Sequence, residues 1–248
     1  MKNLPEVIPF TKKTFFLPRN VQLRTFVDKR QHFFGIKRTV DIILSSIIVL
    51  FILSWLFPLI ALLIKMDSAG PVFFIQRRVG RGGRTFRCLK FRTMIVNGEA
   101  NDSQAEENDA RITRIGSFLR KSNLDEFPQF LNVLTGNMSI VGPRPHMHSD
   151  CDKFSQVIPG YKFRNMVKPG ITGLAQIKGY RGPTKDFESM FRRYQYDSYY
   201  IRNANIWLDM RIVRQTAYQT IYLLWLRLIT KENEVRARFK KLASTFRG

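Results

Sequence analysis

The chain has 248 residues, of which 41 are Lys or Arg and 19 are Asp or Glu, so its formal net charge is +22. Hydrophobic residues make up 44% of the chain, which excludes a disordered or collagen-like protein and provides a core for one domain or two small ones. A chain this basic is expected to bind a polyanion, which could be a nucleic acid, an anionic membrane or a phosphate-bearing substrate. Its two cysteines, Cys88 and Cys151, fit neither a disulfide framework nor a four-ligand zinc site, and they favour a reducing compartment.

A membrane helix is predicted near the N-terminus. Residues 1–36 mix Phe with Lys and Arg and should lie on a membrane surface. The uncharged stretch Ile42–Ile64 would extend about 35 Å as a helix, enough to cross a bilayer. Residues 1–41 carry nine Lys/Arg and three acids, and residues 65–95 carry eight and one, so the positive-inside rule places both flanks in the cytoplasm. We therefore predict a re-entrant helix over residues 37–66, with an ordinary single span as the alternative.

The break that a re-entrant helix needs is predicted at Pro58. Proline has no N–H to offer the carbonyl of Ser54, four residues earlier, and it commonly kinks a helix. Ser54 and its neighbours could satisfy part of the freed backbone. In the alternative single span, Pro58 is tolerated within a continuous helix.

The remaining elements predict a mainly helical α+β fold. Apolar runs flank a glycine-rich turn and predict a β-hairpin over Pro71–Gln76 and Arg84–Phe91. The acidic stretch 97–109 is expected to be solvated and to have no catalytic role. Periodicity and the positions of Gly and Pro then predict helices over 112–119, 124–134 and 185–229 and loops over 136–182. The last helical segment, Trp207–Leu228, either lies in the membrane plane or packs on the core as an amphipathic helix.

Two adjacent acids form the strongest candidate for chemistry. Ser122 or Asn123 is predicted to cap a helix whose first turn contains Asp125 and Glu126. Adjacent helical positions point about 100° apart, so the two carboxylates would divide the work. One could bind a hard cation such as Mg²⁺ while the other attacks phosphorus. The alternative is that both acids simply stabilise a helix N-terminus.

A second candidate is Arg144, which lies within the stiff segment Gly142–Pro145. A guanidinium held in one orientation is a bidentate ligand for phosphate. The alternative is a solvated arginine on a rigid turn. The nearby His146, His148 and Cys151 match no standard zinc spacing.

Together these motifs resemble the bacterial sugar transferases that load a sugar phosphate onto a polyprenyl phosphate, the monotopic phosphoglycosyl transferases. The resemblance covers about residues 35 to 225. Its motifs occur in the family's order, and they are Lys37–Asp41, Gln76–Gly80, Lys90–Met94, Leu119–Glu126, Asn132–Ser139, Gly142–Pro145 and Lys168–Gln176.

The resemblance implies roles for particular residues. Asp125 would be the nucleophile, Glu126 would hold Mg²⁺, and Arg120 would support this pair. Substrate and phosphate would be bound by Arg144, Lys90, Arg92, Arg78 and Gln176. Residues 67–230 would form a cytosolic catalytic domain, and residues 231–248 a basic tail.

The resemblance also implies an activity at the cytoplasmic face of a bacterial inner membrane. A sugar 1-phosphate would pass from a UDP-sugar to undecaprenyl phosphate by a ping-pong route through a phosphosugar–Asp125 intermediate, releasing UMP. The product would enter exopolysaccharide, capsule, O-antigen or glycoprotein glycan assembly by downstream glycosyltransferases. Anionic lipid and a second copy of the chain are further expected partners. Gln176–Gly182 resembles members that move glucose or galactose phosphate, and it leaves the sugar open.

The chain departs from the family pattern in two respects. Ser and Pro are usually adjacent at the helix break, whereas Ser54 and Pro58 are separated here, which leaves the position of the bend open. Many members carry several N-terminal spans and an extra domain, so this chain is expected to be the catalytic core alone. Two other functions compete with this interpretation. Ile42–Ile64 argues against a nucleic-acid-binding protein, and the intact Asp125–Glu126 pair argues against a non-enzymatic membrane scaffold.

Overall fold

The computed structural model describes residues 30–96, 109–182 and 186–229. Most of the predicted lead-in, nearly all of the acidic stretch and the basic tail lie outside these ranges, so the expectations for them stay predictions.

A long apolar helix opens the described chain. Helix α1 (Gln31–Ile48) continues through a π-helical turn (Val49–Leu53) into α2 (Ser54–Asp67). Together they make 37 helical residues with a mean hydropathy of 3.0 over the most apolar window, and this is the one helix in the described ranges that is long and apolar enough to cross a membrane. Large apolar side chains are exposed along its middle, among them Leu50, Phe51, Trp55 and Leu62.

The irregularity of this helix lies before the predicted break. Pro58 is inside α2, and the π-helical turn ends one residue before Ser54. The Ser54 hydroxyl donates to the carbonyl of Leu50 at 2.6 Å, so it serves a backbone acceptor within the wide turn. The helix therefore continues through Pro58. Its ladder of backbone hydrogen bonds is widened before that residue, in the π-helical turn.

The predicted β-hairpin is confirmed. Strands β1 (Phe73–Val79) and β2 (Thr85–Phe91) pair antiparallel, and Gly82 and Gly83 adopt positive φ in the turn between them. Phe73 and Phe91 stack with their ring centroids 5.6 Å apart. Phe57 of α2 packs edge-on against both rings, so the hairpin is docked directly on the apolar helix.

The rest of the domain is mainly helical, as predicted. Its helices are α3 (Arg114–Ser122), α4 (Gln129–Leu134), α5 (His148–Val157), α6 (Leu174–Ile177), α7 (Phe187–Asn203) and α8 (Ile206–Ile229). Short 3₁₀ turns cover Leu124–Glu126 and Tyr161–Met166. A parallel pair is formed by β3 (Ser139–Val141) and β4 (Gly170–Thr172). The predicted loop over 136–182 was therefore wrong in part, because three-residue strands and a polar ten-residue helix leave no clear periodicity.

Both ends of the apolar helix are bonded to this one domain. At the start, the Asp41 carboxylate accepts the backbone N–H of Ile140 at 3.0 Å, and Lys37 forms a buried ion pair with Asp209 at 2.6 Å. At the end, the Asp67 carboxylate accepts the backbone N–H of Ile115 at 2.9 Å. These contacts fix the two ends relative to the same set of helices and strands.

The core joins the hairpin, the parallel strands and the last two helices. Its largest cluster includes Cys88, Val141, Tyr200 and Ile212. Helix α8 packs on the core through Ile212, which agrees with the amphipathic interpretation. Its other side exposes large side chains, namely Trp207, Met210, Tyr218, Ile221 and Trp225. Whether that side lies in a membrane plane stays a prediction.

A buried ion pair crosses this core. Arg164 donates to the Asp197 carboxylate through Nε at 3.1 Å and through Nη2 at 2.8 Å, and both side chains are at most 3% exposed. Arg164 also donates to the backbone carbonyl of Arg144 at 2.7 Å. The pair thereby connects α7 with the segment that carries Arg144.

Replacing Gly116 by alanine should destabilise the protein by about 2 kcal/mol or more. A Cβ there would overlap the backbone carbonyl of Thr93, which cannot move aside like a side chain. Gly35→Ala is the matched control, because that helical glycine has open space around it and alanine should gain up to about 1 kcal/mol in helix propensity. Thermal melting of both variants in detergent would decide the matter, and equal melting temperatures would contradict the packing argument.

Asp197→Asn should cost about 3–5 kcal/mol of stability, since it leaves Arg164 buried without its charged partner. On the same helix, Glu188 pairs with Arg192 at 3.7 Å in an exposed position, and Glu188→Gln should cost well under about 1 kcal/mol. Chemical denaturation of the two variants measures the contrast. Similar losses in both would mean that the Arg164–Asp197 pair is not a structural link.

Candidate active site

Asp125 and Glu126 lie on a tight turn between two helices. Helix α3 ends at Ser122, Asn123 adopts the left-handed conformation with φ of 59°, and the 3₁₀ turn Leu124–Glu126 follows. Asn123 occupies the predicted cap position but makes no side-chain cap bond. The Ser122 hydroxyl instead donates to carbonyls within α3. The two acids are thus oriented by a reversal of the chain and not by a capped helix.

Glu126 is held by two cations. Arg144 donates through Nη1 to Oε2 at 3.0 Å and through Nη2 to Oε1 at 2.6 Å, and Lys90 donates to Oε1 at 2.9 Å. Burial alone would raise the pKa of Glu126, but Arg144 and Lys90 hold it well below its usual range. Glu126 is therefore ionised, and the planar fork of Arg144 is occupied by it.

Asp125 has the opposite environment. It is 8% exposed, and its carboxylate accepts no hydrogen bond from the described residues. Burial raises its pKa to about 6, with the charge of Glu126 adding to the shift and Lys90 and Arg144 opposing it. Asp125 is consequently a carboxylate with free lone pairs and little solvation, a state that favours nucleophilic attack.

Both acids line a cavity of about 550 Å³, whose lining includes a cationic part and an apolar part. One part is cationic, with eight Lys or Arg side chains against three acids, and the cations are Arg78, Lys90, Arg92, Arg111, Arg120, Arg144, Arg181 and Arg193. The other part is apolar and is formed by the hairpin and the segment after it, through Phe73, Phe91, Met94, Ile95 and Val96. The cavity can therefore take an anionic group and an apolar group together.

The other predicted site residues are distributed unevenly. Arg120 lies on the cavity, where its guanidinium contacts the Met94 sulfur at 3.7 Å. Arg78 also lies there and donates to the Gln76 side chain and to the carbonyl of Pro145. Arg92 lines the cavity, but its guanidinium donates to the carbonyls of residues 68 and 69, at the end of the membrane helix.

Gln176 is not brought to the cavity. It is buried in the short helix α6 after β4, and its amide donates to the carbonyl of Ile171 at 2.8 Å. The contacts around it lie within the β3–β4 region, where its carboxamide oxygen faces Gly173. Gln176 therefore contacts neighbouring backbone within the fold and does not line the cavity.

Arg193, Arg181 and His146 are among the cavity residues that were missed as site residues. Arg193 donates to the carbonyl of Gly182 and contacts His146 Nε2 at 3.3 Å, and Arg181 lines the same wall. Burial, with Arg164 and Arg193 beside it, holds the pKa of His146 well below its usual range, so its ring is neutral. Arg193 lies within a helical pattern that shows no sign of a site, and Arg181 was noted only within a segment that resembles sugar-specific relatives.

The donor set is compatible with a magnesium ion that arrives with a ligand. No group of three His, Cys, Asp or Glu side chains suited to a metal occurs in the described ranges, so the protein does not form a complete cage there. Glu126 Oε2 accepts one hydrogen bond, from Arg144, and retains a free lone pair. Mg²⁺ is commonly bound by one or two carboxylates together with substrate phosphates, and Glu126 fits that requirement.

Comparison with known proteins places this geometry in a family. The family model for bacterial sugar transferase matches residues 31–222. A UDP-glucose:undecaprenyl-phosphate glucose-1-phosphate transferase of Escherichia coli K12 is 47% identical over 74% of this chain, and one of Xanthomonas campestris pv. campestris is 49% identical over 79%.

The extent of these matches differs between relatives. The chain spans about 40% of the length of the Escherichia coli and Xanthomonas proteins. An exopolysaccharide production protein PSS of Rhizobium leguminosarum bv. phaseoli is 44% identical over 72% of this chain, and the match covers 91% of that protein. The sequence motifs, the cavity and the family match agree, and the chain belongs to the bacterial sugar transferase family.

Proposed function

We propose that the protein transfers a sugar 1-phosphate from a UDP-sugar to undecaprenyl phosphate and releases UMP. The observation that carries this proposal is the free carboxylate of Asp125, which lies beside a cation-bound Glu126 in a cavity with a cationic part and an apolar part. A nucleotide diphosphate matches the cationic part, and a polyprenyl chain matches the apolar one. The names of the Escherichia coli and Xanthomonas relatives support the same pair of substrates.

The chemistry would proceed in two displacements at phosphorus. A carboxylate oxygen of Asp125 attacks the β-phosphorus of the UDP-sugar, and the bond from that phosphorus to the bridging oxygen breaks, so UMP leaves with the electron pair. An oxygen of undecaprenyl phosphate then attacks the phosphosugar on Asp125, and the acyl phosphate bond breaks. Asp125 is regenerated, as a ping-pong route requires.

The surrounding residues would prepare these steps. Arg144 and Lys90 fix Glu126 next to Asp125, and Arg120 supplies positive charge near the Asp125 carboxylate. Preorganised cations in a partly buried cavity stabilise the charge that develops on transferring phosphoryl groups. Mg²⁺ held by Glu126 and the diphosphate would supply further neutralisation of the leaving phosphate.

We also propose that the apolar helix is re-entrant and that the domain lies on the cytoplasmic face of the inner membrane. Two observations support this placement. The flanks carry the same excess of positive charge, and the two ends of the helix are hydrogen-bonded to the same domain through Asp41 and Asp67. A straight helix would place residues 41 and 67 about 39 Å apart, which is more than the roughly 30 Å thickness of the hydrocarbon core of a bilayer. Exposed aromatic residues on α8, such as Trp207 and Trp225, suit the interface with lipid.

Glucose is the first sugar to test, because the Escherichia coli and Xanthomonas relatives are named for it. The Rhizobium protein is named for exopolysaccharide production, which makes exopolysaccharide the first glycan to examine. A glycan of this kind would be extended on the lipid product by downstream glycosyltransferases.

The direct test of the proposed function is UMP release. The purified chain in detergent would be given undecaprenyl phosphate, Mg²⁺ and UDP-glucose, UDP-galactose or an N-acetylated UDP-hexose. UMP should appear together with an undecaprenyl diphosphosugar for at least one donor. Absence of UMP with every donor would refute the proposal.

Asp125→Asn should abolish both turnover and the covalent intermediate, since an amide is a far poorer nucleophile than a carboxylate. Incubating wild type with a UDP-sugar labelled in its β-phosphate, without lipid, should leave label on the protein, and the variant should carry none. Asp152→Asn is the matched control, because Asp152 is 68% exposed and away from the cavity. Label on the Asp125→Asn protein would remove Asp125 from its role.

The topology can be read from engineered cysteines. Cys88 and Cys151 are buried and should give little background. His32→Cys and Met66→Cys lie at the two ends of the apolar helix, and Met66 is 75% exposed. We expect an impermeant thiol reagent to label both from the cytoplasmic side only. Periplasmic labelling of His32→Cys would replace the re-entrant helix with a span.

A further inference from the structure

Two arginines near Glu126 differ in how their donors are used. Arg144 gives both of its terminal nitrogens to the Glu126 carboxylate, at 3.0 and 2.6 Å. Arg181 lines the same cavity, yet its Nε is buried and has no hydrogen-bond partner among the described residues. A buried donor without a partner is unfavourable unless a ligand supplies the acceptor.

The backbone beside Arg181 is held firmly from the protein side. Arg193 donates to the carbonyl of Gly182 and contacts His146 Nε2 at 3.3 Å, while His146 Nδ1 lies 2.9 Å from the Tyr161 hydroxyl. Arg193 and His146 are both buried. This chain of contacts fixes the position of the segment, so the Arg181 guanidinium is presented to the cavity without being tied to another side chain there.

The charges around Arg181 indicate which part of a ligand it meets. Burial lowers the pKa of Arg181, and Glu126 is the charged neighbour that acts most strongly on it. Glu126 follows the proposed nucleophile Asp125 directly in the chain. Arg181 lines the same cavity as both acids, so an anion bound there can meet Arg181 where phosphoryl transfer would occur, while both terminal nitrogens of Arg144 already donate to Glu126.

We infer that Arg181 donates hydrogen bonds to the transferred β-phosphoryl group of the nucleotide-sugar donor, and that Arg144 is a positioning residue that holds Glu126. This inference rests on the proposed function. It reverses the assignment made from the sequence, in which Arg144 was the phosphate ligand. The reason is geometric, since both terminal nitrogens of Arg144 donate to a carboxylate of the protein, whereas Arg181 has a buried donor with no partner among the described residues.

Equilibrium binding of UDP and UMP to the full chain in detergent separates these roles, because only UDP carries a β-phosphate. Arg181→Gln should weaken UDP binding about tenfold or more, as expected for loss of a charged hydrogen bond, and should change UMP binding less than about twofold. Arg144→Lys should lower kcat with UDP-sugar while leaving UDP affinity within about threefold. Arg192→Gln is the matched control, because Arg192 is on α7 and 52% exposed.

The outcomes distinguish this inference from the proposed function. Wild-type turnover together with unchanged UDP affinity in Arg181→Gln would overturn the inference alone, as would equal losses for UDP and UMP. A larger loss of UDP affinity in Arg144→Lys than in Arg181→Gln would also overturn it. If Arg181→Gln melts early, Arg181→Lys replaces it, and this variant should keep the wild-type melting temperature and still lose UDP preference over UMP. Absence of UMP release by wild type would instead refute the proposed function.

Discussion

Two carboxylate contacts, one buried and one partly buried, bind the apolar helix into the domain. Asp41 accepts the N–H of Ile140, and Asp67 accepts the N–H of Ile115. Ile140 lies in the strand that precedes Gly142–Pro145, whereas Ile115 lies in the helix that ends just before Asp125. The helix therefore serves as a structural frame, because the segments bearing Arg144 and Asp125 are each fixed to one of its ends. Any change in the angle between those ends would alter the geometry around Glu126.

The electrostatics of the cavity follow from a difference between two neighbouring acids, because hydrogen bonds from cations offset the desolvation of only one of them. Glu126 is desolvated, but three hydrogen bonds from Arg144 and Lys90 repay that cost and keep it ionised. Asp125 is desolvated without such partners, so burial raises its pKa. Cations in the cavity outnumber acids even after Glu126 is neutralised. The surplus positive charge attracts an anionic ligand, and it does so more specifically than the overall charge of +22, which only raises the encounter rate.

Local patterns in the sequence were sufficient for the elements that depend on local physics. The uncharged stretch Ile42–Ile64 predicted the apolar helix, and the apolar runs on either side of the glycine-rich turn Gly80–Gly83 predicted the hairpin. The wide turn at Val49–Leu53 could not be predicted, because no residue in it is a helix breaker and the sequence draws attention to Pro58 instead. The pairing of β3 with β4 joins two three-residue strands that are 31 positions apart, and only tertiary contacts stabilise so short a pair.

Several residues of the candidate site could likewise be predicted from local sequence, whereas their tertiary contacts could not. Asp125, Glu126 and Arg144 could be chosen from local chemistry, but the partner of Arg144 could not, because Glu126 lies 18 positions away and the bidentate contact depends on the turn at Asn123. Gln176 and Arg92 have suitable donors, but in the fold these donors are hydrogen-bonded to backbone carbonyls of the protein. The residue type shows which groups a side chain can bind. Only the fold around the side chain decides whether its donors and acceptors are available to a ligand.

The size and shape of the cavity bear on the order of the proposed reaction. A volume of about 550 Å³ is typical of a site for one drug-sized ligand, and it is small for a nucleotide sugar and a polyprenyl phosphate together. The apolar wall at Phe73 and Phe91 adjoins Phe57 of the apolar helix, so in the proposed placement a lipid phosphate would approach Asp125 from the side of this helix. Storing the phosphosugar on Asp125, as proposed, would allow UMP to leave before the lipid enters. A mechanism in which the two substrates react with Asp125 one after the other therefore fits this cavity better than a mechanism in which both substrates must be bound at the same time.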